Sequence, residues 1–600
     1  MRPRRGEFRI CLPRPRPHCA RPMTIPFQLQ QRVNAALATL GHDLPEGFVA
    51  EVVPAADARY GDYQTNAAML LAKHLKTNPR ALAVELAGAI EAADLSDTTS
   101  VAGPGFINFT IKPEALAARL AALLTDEKLG VSPAPQPKTI VVDFSAPNVA
   151  KQMHVGHIRS TIIGDCLARV ARFLGHRVIT DNHIGDWGTQ FGMVLYGWKH
   201  SLDEAALAAD PIRELLRLYK AVNAQSKGEE ESGSGTPTRE ACKAELVKLQ
   251  AGDAENLAIW KQCVDVSLKG LSVVYGKLDV TFDHFLGESF YNARLPSLVE
   301  ELKAAGIAGL SDGAQCIFFD DVPALAGKAP FIIQKTDGGF GYATTDLATV
   351  EHRVKEWRAD EIWYVVGAPQ AFHFEQLFEA VKRWGLNPAL QHIVFGSILG
   401  ADGKMMKTRS GESVGLLEVL EEAEERARAV VEEKNADLPA AEKEDIALAV
   451  GIGAVKYLEL SQHRLTDYKF TWDKMLAFQG NTAPYLQYSY VRTRSIFRKL
   501  EGTADLTGPY AITEKEEREL ALTLCRFAEA VPAVLDDFRP NVLAGYVYDT
   551  ARAFHSFFEA CPVLRAEGTP RATRLALCEA TSRVLRTGLA LMGIRVTERM

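Results

Sequence analysis

The run TIVVDF, Thr139 to Phe144, followed by His154-Val155-Gly156-His157 and the helical stretch IRSTIIGDCLARVARFLG, constrains this chain more than any other feature. A short unbroken apolar run suits a strand covered on both faces, and the next strand-like segment, HRVITDNHIGDWG, ends in a glycine-rich turn. Strand, helix and strand in that order make a βαβ unit, whose natural closure is a doubly wound parallel sheet. Ligands of such sheets gather beyond the carboxyl ends of the strands. HVGH opens the helix just after a strand. Unpaired N–H groups and the positive dipole end stabilise phosphate there, and paired imidazoles can donate to it as charge develops. Gly156 lets a flat ring approach the backbone. Alone, HVGH could equally be a helix cap with a chance histidine.

The chain around this unit is too long for one core: 600 residues at 47% hydrophobic content imply two to four domains. Residues 23–130 read as a small α+β domain, with helical spacing in FQLQQRVNAALATL and strand alternation in GFINFTI. VSPAPQPK, Val131 to Lys138, reads as a linker into an α/β domain over 131–415, with a helical insertion at about 200–300 and a surface loop at Gly228 to Thr238. CIFFDD, FIIQKTDGG and IWYVVGA read as further strands, and 416–600 reads as all-α. Residues 1–22 are rich in Arg and Pro with Glu7 their only acid and lack the apolar stretch of a secretory signal. They read as a disordered or spurious extension before Met23, the alternative being a basic targeting or RNA-binding arm.

With 68 Lys+Arg against 75 Asp+Glu, the net charge of -7 excludes a whole-molecule basic field, so any RNA contact must be local. Nine cysteines without a CxxC pair indicate neither a disulfide framework nor bound zinc and fit the cytoplasm. No stretch reaches the roughly 18 to 20 apolar residues that span a bilayer, so no membrane partner is expected.

The second chemical signature is Lys404-Met405-Met406-Lys407-Thr408 in the glycine-bearing segment GADGKMMKTRSGE. Two ammonium groups on a loop that closes only at the transition state accelerate phosphate displacement without over-binding the ground state. An isolated lysine-rich loop is more often solvated surface. HVGH and KMMKT together resemble the HIGH and KMSKS motifs of class I aminoacyl-tRNA synthetases, Met406 and Thr408 being the departures. Within that class, VVDFSAPNVAKQMHVGHIRSTIIGD, GDWGTQFG, IIQKTDGGFGYATTDLA, KTRSGE, VGIGAVKY, NTAPYLQYSYVRTRS and MGIRVTERM, in that order, resemble the arginyl-tRNA synthetases over nearly all of Met23 to Met600.

The resemblance implies a Rossmann-like catalytic domain, an N-terminal domain that meets the tRNA elbow and a helical anticodon-binding domain. It implies ATP and arginine as substrates, Mg²⁺ with the ATP and tRNA-Arg as partner, in a monomer. ATP would be held by His154, Gly156, His157, Lys404 and Lys407. Lys151 is an added catalytic candidate, because some members with a degenerate loop are thought to use a lysine upstream of HIGH. A guanidinium needs carboxylates and carbonyls around its fork of donors, and the resemblance puts Asp143, Asn148, Tyr342, Asp346 and Gln370 around it. The bland reading of either aspartate is a cap or turn residue. His183, Asp186, Trp187, Gly188 and His373 are expected near the site or, equally, are structural. Tyr485, Tyr488, Arg492 and Met600 would meet the anticodon loop, stacking on bases and pairing phosphates, though a tyrosine stripe at helical spacing is more often core. The competing functions are a small-molecule adenylyltransferase with the same motif and a non-catalytic RNA-binding scaffold.

Overall fold

The computed structural model describes residues 24–600 apart from 233–235, 401, 402, 405–413, 501, 503 and 505. The first helix, Ile25–Leu40, starts where the Thr24 hydroxyl accepts from the Phe27 N–H and ends on Gly41 at φ 68°, a left-handed stop that costs glycine nothing. Ile25, Leu29, Val33 and Leu37 form its buried stripe at three- and four-residue spacing. It packs with the helices Ala67–Leu75, Pro79–Ala89 and Pro113–Thr125 around a four-stranded antiparallel sheet ordered Val53–Pro54, Tyr63–Thr65, Phe106–Ile111, Ser96–Ala102. GFINFTI supplies the strand Phe106–Ile111, whose Ile107, Phe109 and Ile111 are fully buried.

The parallel sheet runs Ala389–His392, Glu361–Tyr364, Thr139–Asp143, Arg177–Asp181. Ile140, Val141 and Val142 are buried on consecutive positions, as a strand covered on both faces requires. Register aligns the carboxyl ends, so that Asp143 stands beside both Asp181 and Tyr364. The chain leaves Thr139–Asp143 in one direction and returns on its other side at Glu361–Tyr364, which makes the strand's end a topological switch point. The HVGH helix, Gly156–Phe173, crosses so close to the sheet that a β-carbon on Gly164 would meet Phe144 at 2.3 Å.

The segments CIFFDD and FIIQKTDGG supply strands as expected, and they stand outside the parallel sheet: Gly309–Ser311, Ala314–Ile317 and Phe331–Gln334 form a separate antiparallel sheet, a topology short connections permit. One expectation changes. Gly228 to Glu231 is not loop but the last turn of the helix Pro211–Glu231. Its glutamates are good helix formers, and Glu229 accepts from the Thr238 N–H at 3.0 Å, tying that end to the next helix, Pro237–Gln250. With Thr189–Ser201, Glu204–Ala209 and Ala254–Lys277 these helices cover one side of the site.

From Leu416 the chain is mostly helical, and it docks on both preceding parts. Arg159 in the HVGH helix, 1% exposed, pairs with Glu459 at 2.9 Å and donates to the carbonyls of Arg464 and Thr466. One and a half turns on, Asp165 faces buried Lys456 at 3.7 Å, and Lys456 donates to the Gly593 carbonyl at 2.8 Å. The N-terminal sheet is held to the same helices by Arg518 on Asp62 and Tyr63 on Glu529. Among the described residues no helix is long and apolar enough to cross a membrane.

Candidate active site

The loop between the strand end and HVGH is backbone under constraint. Ser145, Ala146 and Ala150 all adopt positive φ, at 74°, 43° and 59°, at a cost of order 1–3 kcal/mol each that surrounding bonds must offset. Those bonds are present: Ser160 Oγ accepts from the Ser145 N–H, Asn182 Oδ1 from Ala146 and Ser267 Oγ from Ala150, at 2.8 to 3.1 Å. Asn148 is thereby pressed against Gly185, where a β-carbon would lie 2.2 Å from its Oδ1.

HVGH is wired to itself through Nδ1 of both rings. The Gly156 N–H donates to His154 Nδ1 and the His154 N–H to His157 Nδ1, both at 3.1 Å, while the His154 carbonyl already accepts from the His157 N–H. His154 Nδ1 accepts, so the proton of that neutral imidazole sits on Nε2; His157 Nδ1 lies 3.1 Å from the His154 N–H and 3.2 Å from the His154 carbonyl oxygen, so that ring can hold its proton on either nitrogen. The rings lie 4.1 Å apart. Burial, then the neighbouring ring, pulls His157 down to about 4; burial, then Lys151, lowers His154 as well. Both rings are therefore neutral at physiological pH, and His154 presents an Nε2–H donor. Lys151 lies with its ammonium 4.3 Å over the Tyr219 ring.

Lys404 is described and exposed; Lys407 lies outside the described residues. The segment after KMMKT is nonetheless tied to HVGH, because Gly415 pairs with His154 and the Val414 carbonyl accepts from the Val155 N–H at 2.9 Å. Val414 and Gly415, some 260 residues beyond HVGH in sequence, are thus brought to the same strand end.

Beside HVGH lies a cavity of about 320 Å³ lined by Asn148, Lys151, Trp187, Glu288, Tyr342 and Thr345 among others. Asp346, one helical turn after Tyr342, accepts from His373 Nε2 at 2.6 Å through Oδ2 and faces His183 Nε2 at 4.0 Å through Oδ1. The Tyr342 ring stands edge-on to His373 at 4.8 Å. Glu288, half-buried, has its carboxyl pushed above the ordinary range by burial, and Asp186 and Asp346 add to this against His183. Glu288 is the acid in this cavity's wall, which also carries Lys151 and Lys335, and Asp186 and Asp346 stand near enough to Glu288 to oppose its ionisation; acids grouped in this way can take a cationic ligand. Sequence reasoning missed Glu288. It sits in LGESF, inside the span read as a helical insertion, and only a lone acid among aromatic residues marks it.

Other expected residues stand apart. Asp143 does not line the cavity: its Oδ2 takes a 2.7 Å bond from Arg353 Nη2, which also donates to Asp181 at 2.8 Å, and Arg353 is fully buried. Burial pushes the Asp143 carboxyl up against the pull of Arg353. An internal guanidinium thus occupies the place expected for the ligand's. Gln370 is exposed at the end of the short turn Ala368–Gln370 and is absent from the cavity wall. Asp186 accepts from the Ser289 N–H and hydroxyl at 2.9 and 2.6 Å, a structural use, while Trp187 donates to Asn292 and still lines the cavity.

In the tail, the helix Ala483–Arg498 divides its tyrosines by face. Tyr490 is buried and donates to Glu598, and Tyr485 packs on Tyr548. Tyr488, 39% exposed, carries the Arg492 guanidinium 5.1 Å over its ring, and the same guanidinium lies 5.2 Å over the Phe558 ring. Met600 is partly buried against the core of the helices Leu416–Lys434 and Ala440–Leu460.

Compared with known families, residues 119–472 match that described as tRNA synthetases class I (R), catalytic domain; residues 486–600 match the DALR anticodon binding domain and 28–111 the arginyl tRNA synthetase N terminal domain. The arginine–tRNA ligase of Chromobacterium violaceum is 48% identical over 585 residues, covering 96% of this chain and 100% of the relative; that of Laribacter hongkongensis is 45% identical with the same coverage. The solved arginyl-tRNA synthetase of Plasmodium falciparum superposes with a TM-score of 0.81 at 28% identity, covering 96% of this chain and 99% of that one. That of Thermus thermophilus gives 0.80 at 26% identity, covering 96% and 100%.

Proposed function

This chain belongs to the class I arginyl-tRNA synthetases and is an arginine–tRNA ligase, and on that premise we propose which of its residues do what. The reaction joins L-arginine to ATP, giving arginyl-adenylate and pyrophosphate, and then transfers the arginyl group to the 3′ end of tRNA-Arg.

Glu288 and Asp346 take the substrate guanidinium. The observation that carries this is Glu288 in the wall of the cavity beside HVGH, held above its ordinary range in part by Asp346, which follows the wall residues Tyr342 and Thr345 on one helix. Tyr342 closes the outer side, and Asn148, fixed by its strained loop, meets the amino acid's polar end. Asp143 acts behind the pocket through Arg353, and exposed Gln370 would join only if its turn moves. The arginine carboxylate oxygen then attacks the α-phosphorus in line, and the bond to the bridging oxygen breaks as pyrophosphate leaves. His154 supplies a neutral Nε2–H donor, and His157 another in the tautomer protonated at Nε2, to the phosphate oxygens as charge develops on them, and Gly156 admits the adenine. Lys404 and Lys407 neutralise the departing pyrophosphate. In the second step a terminal ribose hydroxyl of the tRNA attacks the acyl carbon and AMP leaves.

We also propose that Mg²⁺ travels with the triphosphate, since so small and hard a cation keeps mostly water and phosphate oxygens as ligands. Residues 23–130 would meet the tRNA elbow, 131–415 carry catalysis and 416–600 hold the anticodon stem and loop through Tyr485, Tyr488, Arg492 and Met600. The working form would be a monomer in the cytoplasm.

Arginine- and tRNA-dependent pyrophosphate release tests the pocket. Asp346→Asn and Glu288→Gln should each raise the KM for arginine and cut kcat/KM by roughly 2 to 5 kcal/mol, with the KM for ATP little changed. If both constants for arginine stay within about a factor of two, these acids do not hold the guanidinium.

A further inference from the structure

Lys151 belongs to two cavities at once. It lines the one of about 320 Å³ beside HVGH and also a larger one of about 950 Å³, whose wall includes Gln152, Arg213, Lys220, Leu271 and Glu418. The backbone is tied on both sides of it: the Ala150 N–H donates to Ser267 Oγ at 3.0 Å, and the Met153 carbonyl accepts from the Leu416 N–H at 2.9 Å. The side chain has no such tie, because its flexible four-carbon stem lets the ammonium swing toward either cavity.

Tyr219 is in the wall of the smaller cavity and not of the larger. It rides on the helix Pro211–Glu231, which lies tight against the helix Thr189–Ser201: a β-carbon on Gly197 would stand 3.1 Å from Leu218 and 3.2 Å from Val222. The ring is therefore placed by close helix packing. The Lys151 ammonium lies 4.3 Å from the ring centre, where the ring quadrupole attracts a cation without neutralising it. In that place its charge reaches HVGH, since after burial it is Lys151 that lowers His154.

The larger cavity offers the ammonium a carboxylate instead. Glu418 stands in the first turn of the helix Leu416–Lys434, and its carboxyl and the Gln152 amide crowd one spot, 3.1 and 2.7 Å from where a β-carbon on Gly415 would be. Gln152 follows Lys151 directly, so Glu418 is the acid to which an untethered Lys151 would turn. A charge-assisted bond to it would hold the ammonium away from HVGH.

Resting on the expectation that Lys151 binds the ATP phosphates, we propose that Tyr219 is a positioning residue for ATP: its ring keeps the Lys151 ammonium on the HVGH side and away from Glu418. Tyr219 acts through Lys151, and the helical insertion that carries it sets how well the triphosphate is held.

The test is a double-variant cycle on the full chain, read as the KM for ATP in arginine- and tRNA-dependent pyrophosphate release. Lys151→Ala should raise that constant. Tyr219→Leu and Tyr219→Met, which lack a ring, should each raise it about three- to tenfold with kcat falling less than about twofold. Tyr219→Phe keeps the ring face and should stay within about twofold of the native protein. In the Lys151→Ala background Tyr219→Leu should add less than about twofold, because the group it positions is gone. Glu418→Gln combined with Tyr219→Leu should recover part of the lost ATP binding. Native ATP binding in both ring-less variants, additive effects of Tyr219→Leu and Lys151→Ala, an equal loss in Tyr219→Phe, or no recovery on removing the Glu418 charge would overturn the proposal. The underlying expectation is read separately. If Lys151→Ala leaves the KM for ATP unchanged, Lys151 does not bind ATP and Tyr219 has nothing to position; if Lys151→Ala raises it while Tyr219→Leu does not, only the role of Tyr219 fails.

Discussion

Two aspartates that look alike in sequence have opposite surroundings. Asp346 has a fifth of its side chain exposed beside the cavity, while Asp143 is sealed against Arg353. Asp143→Asn leaves a fully buried guanidinium short of one charge partner, so it should cost stability, about 3 to 5 kcal/mol. Thermal unfolding would show it, and arginine KM in the folded fraction should move far less than for Asp346→Asn. The lysines divide in the same manner. Lys151 rests on Tyr219 beside both HVGH and the cavity, whereas Lys407 lies outside the described residues, seven positions before Val414, whose carbonyl bonds HVGH. Lys407→Ala should lower kcat with little change in the KM for ATP, and Lys151→Ala should raise that constant. Coupling of at least about 0.5 kcal/mol in the double variant is expected if both touch one triphosphate; strict additivity would remove Lys151 from that role.

A single helix can serve core and ligand on different faces, and Ala483–Arg498 does. Tyr485, Tyr490 and the buried Leu486 and Val491 face inward, while Tyr488 and Arg492 form an aromatic and cationic surface with Phe558. Tyr488→Ala should therefore weaken tRNA charging by about 1 to 3 kcal/mol, the worth of one stacked base, and leave the melting temperature nearly unchanged. Charging kinetics with a tRNA transcript, run beside thermal unfolding, check both halves; loss of charging that merely tracks loss of stability would return Tyr488 to the core.

Across the whole molecule, the HVGH helix is cross-linked to the tail by two buried pairs of opposite polarity, Arg159 with Glu459 and Asp165 with Lys456. Burial pushes the Glu459 carboxyl up and Arg159 opposes it. Glu459→Gln should destabilise the protein by about 3 to 5 kcal/mol, because Arg159 stays buried without its partner charge. Since the pairs join catalytic and helical parts, both should melt in one transition at a lower temperature, and calorimetry reads this directly. A separate early transition of the tail alone would show that other contacts hold the two together.

The βαβ unit, the strand GFINFTI and the helical tail are legible in the sequence because periodicity and turn chemistry are local. HVGH is legible too, since its meaning depends on the strand and helix that flank it in the chain. What local pattern cannot carry is which distant charges meet. That Arg353, 210 residues from Asp143, neutralises it and that Glu288 reaches the cavity are decided by how the strand ends and the crossing helices pack, and burial then selects which acids remain for a ligand. Short strands such as Ala314–Ile317 carry no mark of the sheet they will join, because partner choice depends on connection length and exposed edges rather than on residue type. The sequence by itself determined the elements and the family of chemistry; the tertiary structure decided the charge pairing, because Coulomb energy depends on separation and solvent in three dimensions and not on distance along the chain.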